Sequence, residues 1–419
     1  MLRSGGPERV KEQTPTFLEV YRHLTEYKHP TDDNRQHLQQ VMEWLCSAQD
    51  ATGCGGVSAA YYPYAGWAPP YPEVTGYIIP TFLNYAAFSG DDRYTRRAIA
   101  MGEWELGIQM PDGAVRGGWG VNDYPLVFDT GQVIFGWLAL YQRTGREAFL
   151  TAAVDAADWL VMHQDRGGGW SRFAYRKAAT TYHTRVAWPL LLVYQYTGDP
   201  RHRAAAERNL LWTLDQSHEN GWVDNMAFTK GRPPFTHTIA YTLEGMFESS
   251  SYVQEPLATR IRTVVRRAVD AIMDHYTRRY PCPMPGTFST GWRSTGSYTC
   301  VTGDAQLAIL FLRLYQLFSD PQYLITADRL LQQVKETQCR NCANTGIRGG
   351  LPGSYPIWGR YRRFSYPNCG PKFFADAIML REGITGGQVV DLVYQPFSKT
   401  PVDPPLPACS TGTAATLHV

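Results

Sequence analysis

The stretch YPEVTGYIIPTFLNYA, residues 71–86, sets the pattern that the rest of the chain repeats. A carboxylate, Glu73, stands two residues before a Thr-Gly pair, and an apolar run broken only by Pro80 follows. Thr is a favourable helix N-cap, because its hydroxyl can accept a free backbone N–H of the first turn. We therefore predict a helix that begins at Thr75. It is apolar all round, so it must be buried on every side.

Four further segments have the same arrangement. Aligned on one Thr, they read FDTGQVIFGWLALYQ, YHTRVAWPLLLVYQ, THTIAYTLEGMFES and CVTGDAQLAILFLRLYQ. The five Thr residues, at 75, 130, 184, 238 and 302, are 55, 54, 54 and 64 residues apart, and a degenerate sixth copy, NCGPKFFADAIML, begins near Asn368. A regular period of this length indicates repeated supersecondary units.

A second kind of helix alternates with the apolar one. Segments such as LTAAVDAADWLVMHQ and RAAAERNLLWTLDQ mix apolar and charged residues at helical spacing, and a Gly-rich loop such as DRGGGW follows them. The unit is an outer helix, a Gly-rich loop, an inner helix and a tight turn with Gly, Asp or Pro. We predict outer helices at 36–49, 92–109, 146–164, 200–216, 256–276 and 322–338, and inner helices at 75–88, 130–143, 184–197, 238–249, 302–318 and 370–382.

Six buried helices favour a closed ring, because an open superhelix leaves one side of each helix wet. We predict an all-α (α/α)6 toroid over residues 36–385, with six inner helices behind six outer ones. An N-terminal extension at 1–35 precedes it, and a C-terminal strap or disordered tail at 386–419 follows. An open helical solenoid is the alternative.

Composition and net charge argue against several classes of function. Of the 419 residues 44% are apolar and the net charge is +2, which is typical of a soluble globular protein and argues against a nucleic-acid partner. We expect no membrane span, because no apolar window of about 18 residues occurs. The start of the chain lacks the pattern of a signal peptide, so we expect a cytoplasmic protein whose eight cysteines stay reduced. No Walker loop or dinucleotide fingerprint occurs, and we expect no cofactor.

The ends of the outer helices carry a family resemblance. The strings QMPDGAVRGGW and HQDRGGGW resemble the repeat of the squalene-cyclase and prenyltransferase superfamily. The toroid itself resembles the six-hairpin glycosidases, polysaccharide lyases and sugar epimerases. YPEVTGYIIPTFL, TGDAQLAI and PNCGPKFFADAIML resemble a group of bacterial proteins encoded among exopolysaccharide genes. These resemblances imply a carbohydrate-active toroid and leave the activity open. A terpene cyclase is not favoured, because no DDxxD motif lies on an inner helix.

Titratable residues at the starts of the inner helices are the candidate catalytic groups. In a toroid of this type these starts share one end, so the side chains converge on a central funnel. We predict Glu73 and Asp129 as the acid–base pair of a glycoside hydrolase. His183 and His237 would polarise or position the sugar, and Asp304 would support them. Simple helix capping is the alternative for the acids, and a lyase or epimerase using His and Tyr, or a non-catalytic glycan-binding protein, is the alternative for the whole site.

Aromatic and basic residues around the same end are the candidate substrate ligands. Aromatic faces stack on sugars, and Arg holds carboxylates by paired hydrogen bonds. We therefore predict an acidic, uronate-containing polysaccharide or oligosaccharide as the partner; anchoring of loops and a solvated basic face are the alternatives. Cations are dense late in the chain, at Arg340, Arg348, Arg360, Arg362, Arg363 and Lys372. The selected ligands are Trp67, Tyr71, Trp119, Tyr124, Trp170, Arg172, Arg185, Trp222, Arg293, Arg348, Tyr366 and Lys372.

The cysteine pattern is compatible with a zinc site but does not predict one. Cys339 and Cys342 form a CxxC pair, but a zinc site normally shows a second tight pair and the sequence has none. We therefore expect no metal and interpret the cysteines as buried or inert thiols. The other cysteines considered as ligands are Cys54, Cys282, Cys300 and Cys369.

Overall fold

Two concentric rings of helices make up the described chain. The structure, a computed structural model, describes residues 17–25, 28–31 and 33–386, and a short helical segment at 17–24 (α1) precedes the rings. The outer helices are α2 (Asn34–Asp50), α4 (Arg93–Ile108), α6 (Glu147–Met162), α8 (Pro200–Leu214), α10 (Leu257–Arg279) and α12 (Pro321–Thr337). The inner helices are α3 (Pro72–Ser89), α5 (Val127–Thr144), α7 (Thr184–Thr197), α9 (Thr236–Ser249), α11 (Val301–Phe318) and α13 (Cys369–Gly386).

The inner ring is closed. Each inner helix packs on the next in chain order, and the last, α13, packs against the first, α3. The predicted (α/α)6 toroid is therefore confirmed, and the solenoid alternative is wrong. The ring's described helices run from Asn34 to Gly386. The tail predicted at 386–419 lies outside the described residues from 387 onward.

The repeated Thr near the start of the inner helices has a different role from the one predicted. Helix α3 begins at Pro72 with Tyr71 as its N-cap, so Thr75 lies inside the first turn. Its hydroxyl accepts a hydrogen bond from the backbone N–H of Val57 at 2.8 Å and donates to the carbonyl of Tyr71. Thr130 likewise accepts from the N–H of Val115 at 3.1 Å. The N-cap prediction is wrong for both; these Thr side chains fasten the Gly-rich loop to the inner helix.

Glutamines at the ends of outer helices fix the same loops from the other side. The amide of Gln109 donates to the carbonyls of Gly113 and Ala152, and that of Gln164 donates to those of Gly168 and Ala205. In both units one carbonyl belongs to the Gly-rich loop and the other to the next outer helix. These Gln side chains therefore join consecutive hairpins, whereas Gln216, at the matching place, donates to the carbonyl of Trp212 in the helix before it.

Short antiparallel strands lie at the end of the ring at which the inner helices begin. Strand β1 (Ala60–Tyr62) pairs with β2 (Gly66–Trp67) and β7 (Tyr366–Pro367), with Tyr61 opposite both Trp67 and Tyr366. Two further pairs are β3 (Phe288–Ser289) with β4 (Arg293–Ser294), and β5 (Thr299–Cys300) with β6 (Ser354–Tyr355). The β1–β7 pairing joins the first hairpin to the last. Within the described chain, no helix has the length and hydropathy needed to cross a membrane.

Candidate active site

Two carboxyl groups meet beside one tyrosine where α3 and α5 begin. The hydroxyl of Tyr71 donates a hydrogen bond to Oε2 of Glu73, and it also lies within hydrogen-bonding reach of Asp129. The backbone N–H of Gly118 donates to Oδ2 of Asp129 at 2.8 Å. Asp129 is buried, whereas Glu73 is partly exposed. The structure thus brings the two predicted acids together, with the predicted ligand Tyr71 between them.

The two acids differ in their electrostatic surroundings. Burial raises the pKa of Asp129 well above its usual range, and the nearby charge of Glu73 raises it further. Burial also raises the pKa of Glu73, but the hydrogen bond from Tyr71 and the positive charge of Arg362 oppose that rise. Asp129 is therefore the acid that holds a proton more firmly, and Glu73 is the one that ionises first.

A histidine and a second tyrosine extend the cluster across the ring to α9. The hydroxyl of Tyr241 lies 3.5 Å from Oε1 of Glu73, and the ring centroids of Tyr241 and His237 are 4.3 Å apart. Nδ1 of His237 is 2.6 Å from Oε1 of Gln306. Burial lowers the pKa of His237 to about 3, so the imidazole is neutral at physiological pH. His237 therefore adjoins the carboxyl pair through Tyr241.

An arginine and a tryptophan stand next to these acids. The guanidinium of Arg362 lies 4.9 Å from the ring centroid of Trp119, and that ring is 6.5 Å from the ring of Tyr71. The side chain of Arg362 is exposed, and its backbone has a φ of 45°, in the left-handed region. Non-glycine residues in this region are strained, and such strain is concentrated at functional sites. We call the group Tyr71, Glu73, Asp129, Tyr241 and Arg362 the funnel site.

His183 is not brought to the funnel site. Its ring is buried among Phe128, Trp170 and Tyr182, with centroids 5.0 to 6.3 Å away. The ring of Phe128 also lies 5.0 Å from that of Tyr241, so it stands between the two. Burial lowers the pKa of His183 to about 3. The expected pair of equivalent histidines in one cavity is therefore not formed, because α7 begins with its His turned into an apolar pocket.

Asp304 faces the outer ring and not the funnel. Its Oδ2 accepts hydrogen bonds from the hydroxyl of Thr299 and, at 2.8 Å, from the amide of Gln333 in α12. Its side chain is buried, and burial raises its pKa to about 8. The expectation that Asp304 converges with the other acids is wrong, because it lies on the side of α11 that packs against α12.

Two of the predicted cationic ligands are buried in ion pairs within the ring. Arg185 pairs with Glu244 at 2.8 Å, and Lys372 pairs with Asp376 at 2.7 Å, with every one of these side chains at most 2% exposed. A substrate at the mouth of the ring cannot replace a partner held this deeply. This placement corrects the prediction of Arg185 and Lys372 as substrate ligands and favours a structural role.

Three of the predicted aromatic ligands are also buried in the scaffold. The indole N–H of Trp170 donates to the carbonyl of Leu160 at 2.9 Å, and that of Trp222 donates to Asp224 at 3.0 Å. The hydroxyl of Tyr366 donates to Glu19 at 2.7 Å. Each is buried and hydrogen-bonded away from the funnel site. They anchor loops, which was the alternative considered from the sequence.

The remaining predicted ligands lie near the surface. Trp67 packs on Trp44 and Tyr61, with ring centroids 5.1 Å from each. The hydroxyl of Tyr124 approaches Gly118, whose N–H binds Asp129, so Tyr124 stands at the edge of the funnel site. The exposed cations, which lie in separate segments of the chain, are Arg172, Arg293 and Arg348.

Several residues of the site escaped sequence reasoning. Tyr241 lies four residues after His237 and hence one turn further along the same helix face, a spacing that would have pointed to it. Arg362 was counted among the late cations but not selected. Tyr361, whose ring is 5.0 Å from that of His237, gave no signal because its loop has no counterpart in the other units.

Within residues 17–386, as far as the structure describes them, the cysteines do not assemble as a set of four thiolates. Cys54 and Cys282 are exposed free thiols, whereas Cys300 and Cys369 are buried free thiols. Cys369 lies 3.4 Å from the hydroxyl of Tyr361 and Cys300 is the N-cap of α11. Cys339 and Cys342 are joined to each other as a disulfide, so the expectation that the cysteines stay reduced is wrong for this pair.

Comparison with known proteins supports the fold. The family model described as the squalene-hopene cyclase C-terminal domain matches residues 64–249, somewhat less than half of the chain. A search of curated proteins found no match.

Solved structures match over most of the chain. An unsaturated glucuronyl hydrolase specific for heparin has a TM-score of 0.66 at 14% identity, covering 84% of this chain and 98% of its own. A sugar epimerase from a ruminal bacterium has a TM-score of 0.68 at 13% identity, covering 89% and 99%. Cellobiose 2-epimerase from Spirochaeta thermophila has a TM-score of 0.61 at 15% identity, covering 91% and 100%. At these identities the likeness shows the α/α-toroid fold alone.

Proposed function

We propose that this protein is a carbohydrate-active enzyme that hydrolyses a glycosidic bond of an acidic, uronate-containing oligosaccharide at the funnel site. The observation that carries the proposal is the carboxyl pair of Glu73 and Asp129 on either side of Tyr71. Glycoside hydrolysis requires two carboxyl groups in different protonation states. The solved toroids with the same fold include a glucuronyl hydrolase, which agrees with this assignment.

The single hydrogen of Tyr71 supports different roles for the two acids. A phenol donates one hydrogen bond at a time, so it cannot satisfy two carboxylates together. The Tyr71 hydroxyl donates to Glu73. Asp129 therefore remains protonated, because its pKa is raised. We assign Asp129 as the general acid that protonates the leaving oxygen. Glu73 is the ionised partner, which activates water or attacks the anomeric carbon.

The surroundings of the carboxyl pair favour an acidic sugar. Arg362 offers a guanidinium beside the acids, and Arg binds carboxylates through two parallel hydrogen bonds. Trp119 offers an aromatic face next to it. We propose that a uronate carboxylate binds Arg362 while the sugar ring lies near Trp119. This places the sugar next to Glu73, since the charge of Arg362 already acts on that acid.

Amide substitutions test the assignment. Glu73→Gln and Asp129→Asn should each lower kcat on uronate-containing oligosaccharides by about 10²- to 10⁴-fold, the usual contribution of a general acid or base. Circular dichroism should be unchanged, and the exposed Asp92→Asn is the matched control with wild-type activity. Reaction in water labelled with heavy oxygen should place the label on the new reducing end. Unaltered sugar turnover in both amide variants would refute the proposed roles.

Proton abstraction by His237 is the second candidate reaction. The specific observation is a buried neutral imidazole beside Tyr241, which is the form of histidine that accepts a proton. A lyase would release an unsaturated uronate with ultraviolet absorbance, and an epimerase would exchange a carbon-bound hydrogen with heavy water. Either result, without label from water at the reducing end, would replace hydrolysis. If saccharides bind and no product forms, the ring is a non-catalytic glycan-binding protein.

We also propose a source for the substrate and a compartment for the protein. The likeness of YPEVTGYIIPTFL and its companions to proteins of exopolysaccharide gene clusters supports a bacterial exopolysaccharide or its fragments. The exposed free thiols Cys54 and Cys282 are typical of a reducing compartment and support the cytoplasm, whereas the disulfide of Cys339 and Cys342 is an exception to that pattern. Fractionation of the producing cells checks the compartment, and recovery of the protein outside the cytoplasm would contradict it.

A further inference from the structure

A group of metal-ligating atoms lies at the seam between the last and first hairpins, far in sequence from the funnel site. A ring nitrogen of His29 and the sulfur atoms of Cys339 and Cys342 all lie within 4.8 Å of one another. The two cysteines are buried and His29 is half-buried. Imidazole nitrogen and thiolate sulfur are the ligands that zinc prefers in structural sites. The sequence alone missed His29, because 310 residues separate it from Cys339.

Neighbouring groups fit a bound metal. Nη1 of Arg22 lies 3.3 Å from the sulfur of Cys342, so it can donate the outer hydrogen bond that orients a metal-bound thiolate. A small cavity adjoins Cys339 and is lined also by Glu19, His23 and His29. A water molecule in that space would be the fourth ligand. Zn²⁺ with two thiolates and a neutral imidazole carries no net charge, which suits a site beside an arginine.

The ligands come from both sides of the seam. His29 precedes α2, and its backbone N–H donates to the carbonyl of Glu336 at 2.9 Å, while Lys28 pairs with the side chain of Glu336 at 2.8 Å. Cys339 and Cys342 follow α12. A metal held by all three residues would therefore join the beginning of the ring to its end, as a clamp on the closed toroid.

We propose that the reduced chain binds one Zn²⁺ through His29, Cys339 and Cys342, with water as the fourth ligand. The disulfide of the structure is the oxidised, metal-free state of the same pair. A cellular thiol or dithiol supplies two electrons and two protons to convert the disulfide into two thiols. Each thiol then loses its proton as its sulfur binds the metal, so binding releases two protons per Zn²⁺.

Metal titration of the full chain tests the proposal. The purified protein is reduced with a phosphine, stripped with a chelator, and titrated with ZnCl2 or CoCl2 under nitrogen. We expect one equivalent of zinc per chain, a thiolate-to-cobalt charge-transfer band, and a rise in Tm on zinc addition. The unreduced protein should bind no zinc at this site. Absence of zinc binding by the reduced chain overturns the proposal.

Variants locate the metal. Cys342→Ser and His29→Gln should each lower zinc affinity at least tenfold, whereas Cys282→Ser, at an exposed thiol elsewhere, should keep one equivalent. Unchanged affinity in His29→Gln refutes the three-residue site. If Cys342→Ser fails to fold, proton release by the reduced wild-type chain decides: two protons per Zn²⁺ support the site, and none refutes it. These readouts do not depend on sugar turnover, so their failure leaves the proposed hydrolysis untouched.

Discussion

Burial neutralises the titratable side chains near the starts of the inner helices. It raises the pKa of acids and lowers that of histidines, because a low-dielectric interior penalises the charged form of either. Asp304, with a pKa raised to about 8, and His183 and His237, each lowered to about 3, are the clearest cases. Their neutral forms are therefore built into the fold at pH 7, and the stability of the protein must depend on pH through them.

The carboxyl group of Asp304 should make the protein less stable as the pH rises. Its folded pKa of about 8 exceeds the unfolded value of about 3.9, so the folded state binds more protons between these pH values. Its contribution is complete below about pH 4 and is lost as the pH rises through 8. Asp304→Asn keeps an acceptor for Gln333 and cannot ionise. We expect this substitution to stabilise the protein at pH 8 by a few kcal/mol. It should also make the free energy of unfolding depend less on pH.

Urea unfolding between pH 4 and 9 measures this effect. The exposed Asp123→Asn is the control and should follow the wild-type profile. If Asp304→Asn has the same pH dependence as the wild type, the carboxyl does not titrate as expected.

The two histidines should differ in their effect on turnover. His237 adjoins Tyr241 and, through it, Glu73, whereas His183 lies behind Phe128. We expect His237→Gln to lower kcat by about tenfold or more, in the range of general acid–base effects. His183→Gln should leave kcat within about twofold of wild type. Steady-state kinetics of the two folded variants checks this prediction. An equal loss of kcat in both variants would show that His183 also contributes to turnover.

At the scale of the helix, the Thr-Gly pair serves two contacts. Thr75 fastens the Gly-rich loop through Val57, and Gly76 lies against the next inner helix. A Cβ at Gly76 would come within 2.5 Å of the Cα of Val133, closer than real atoms approach. The pair occurs in α3, α5 and α11, whereas Arg185 and Ile239 follow the Thr of α7 and α9, so the double contact is not common to every inner helix.

Replacing the glycine at this contact should destabilise the ring. Gly76→Ala should lower the free energy of unfolding by about 1–3 kcal/mol or more, the usual cost of overpacking a core. Gly107→Ala in the outer helix α4 is the matched control, because nothing lies within 4 Å of its Cβ. That variant should be neutral or more stable by up to about 1 kcal/mol, through helix propensity. Chemical denaturation compares them, and equal effects would contradict the close approach of α3 and α5.

At the scale of the whole molecule, the centre of the ring is filled by charge as well as by apolar side chains. The guanidinium of Arg185 lies 5.2 to 5.8 Å from ring centroids on α5, α7, α9 and α13, and it pairs with Glu244. One cation thus touches four of the six inner helices. This buried ion pair therefore ties several inner helices together at the centre of the ring.

Substitution of Arg185 should affect stability, whereas substitution of Arg362 should affect substrate binding. Arg185→Met leaves the buried carboxylate of Glu244 without this partner and should cost about 3–5 kcal/mol of stability. Arg362→Gln, at an exposed side chain, should change stability little and raise KM for a uronate substrate. Thermal unfolding and kinetics on neutral and acidic sugars distinguish them. If the Arg185→Met variant is as stable as the wild type and has a raised KM, the prediction that Arg185 contacts the substrate is supported.

The toroid was predictable from the sequence because its signals are local and periodic. An apolar helix with a Thr near its start, a Gly-rich loop and an amphipathic helix recur about every 55 residues, and the burial that each apolar helix needs is satisfied by a closed ring. The convergence of Glu73 with Asp129 also followed from the repeat, since the inner helices begin at one end. The hydrophobic pattern thus determined the architecture and placed the carboxyl pair.

Only the tertiary structure decided which of the aligned residues face the funnel. Successive side chains turn by about 100° around a helix axis, and the inner helices do not all begin at the same distance before their Thr. Asp304, which follows its Thr, therefore faces α12, and His183 enters an apolar pocket although it aligns with Asp129. Arg362 reaches the acids from a loop outside the repeat. These orientations depend on packing between residues far apart in the chain, which a one-dimensional pattern does not contain.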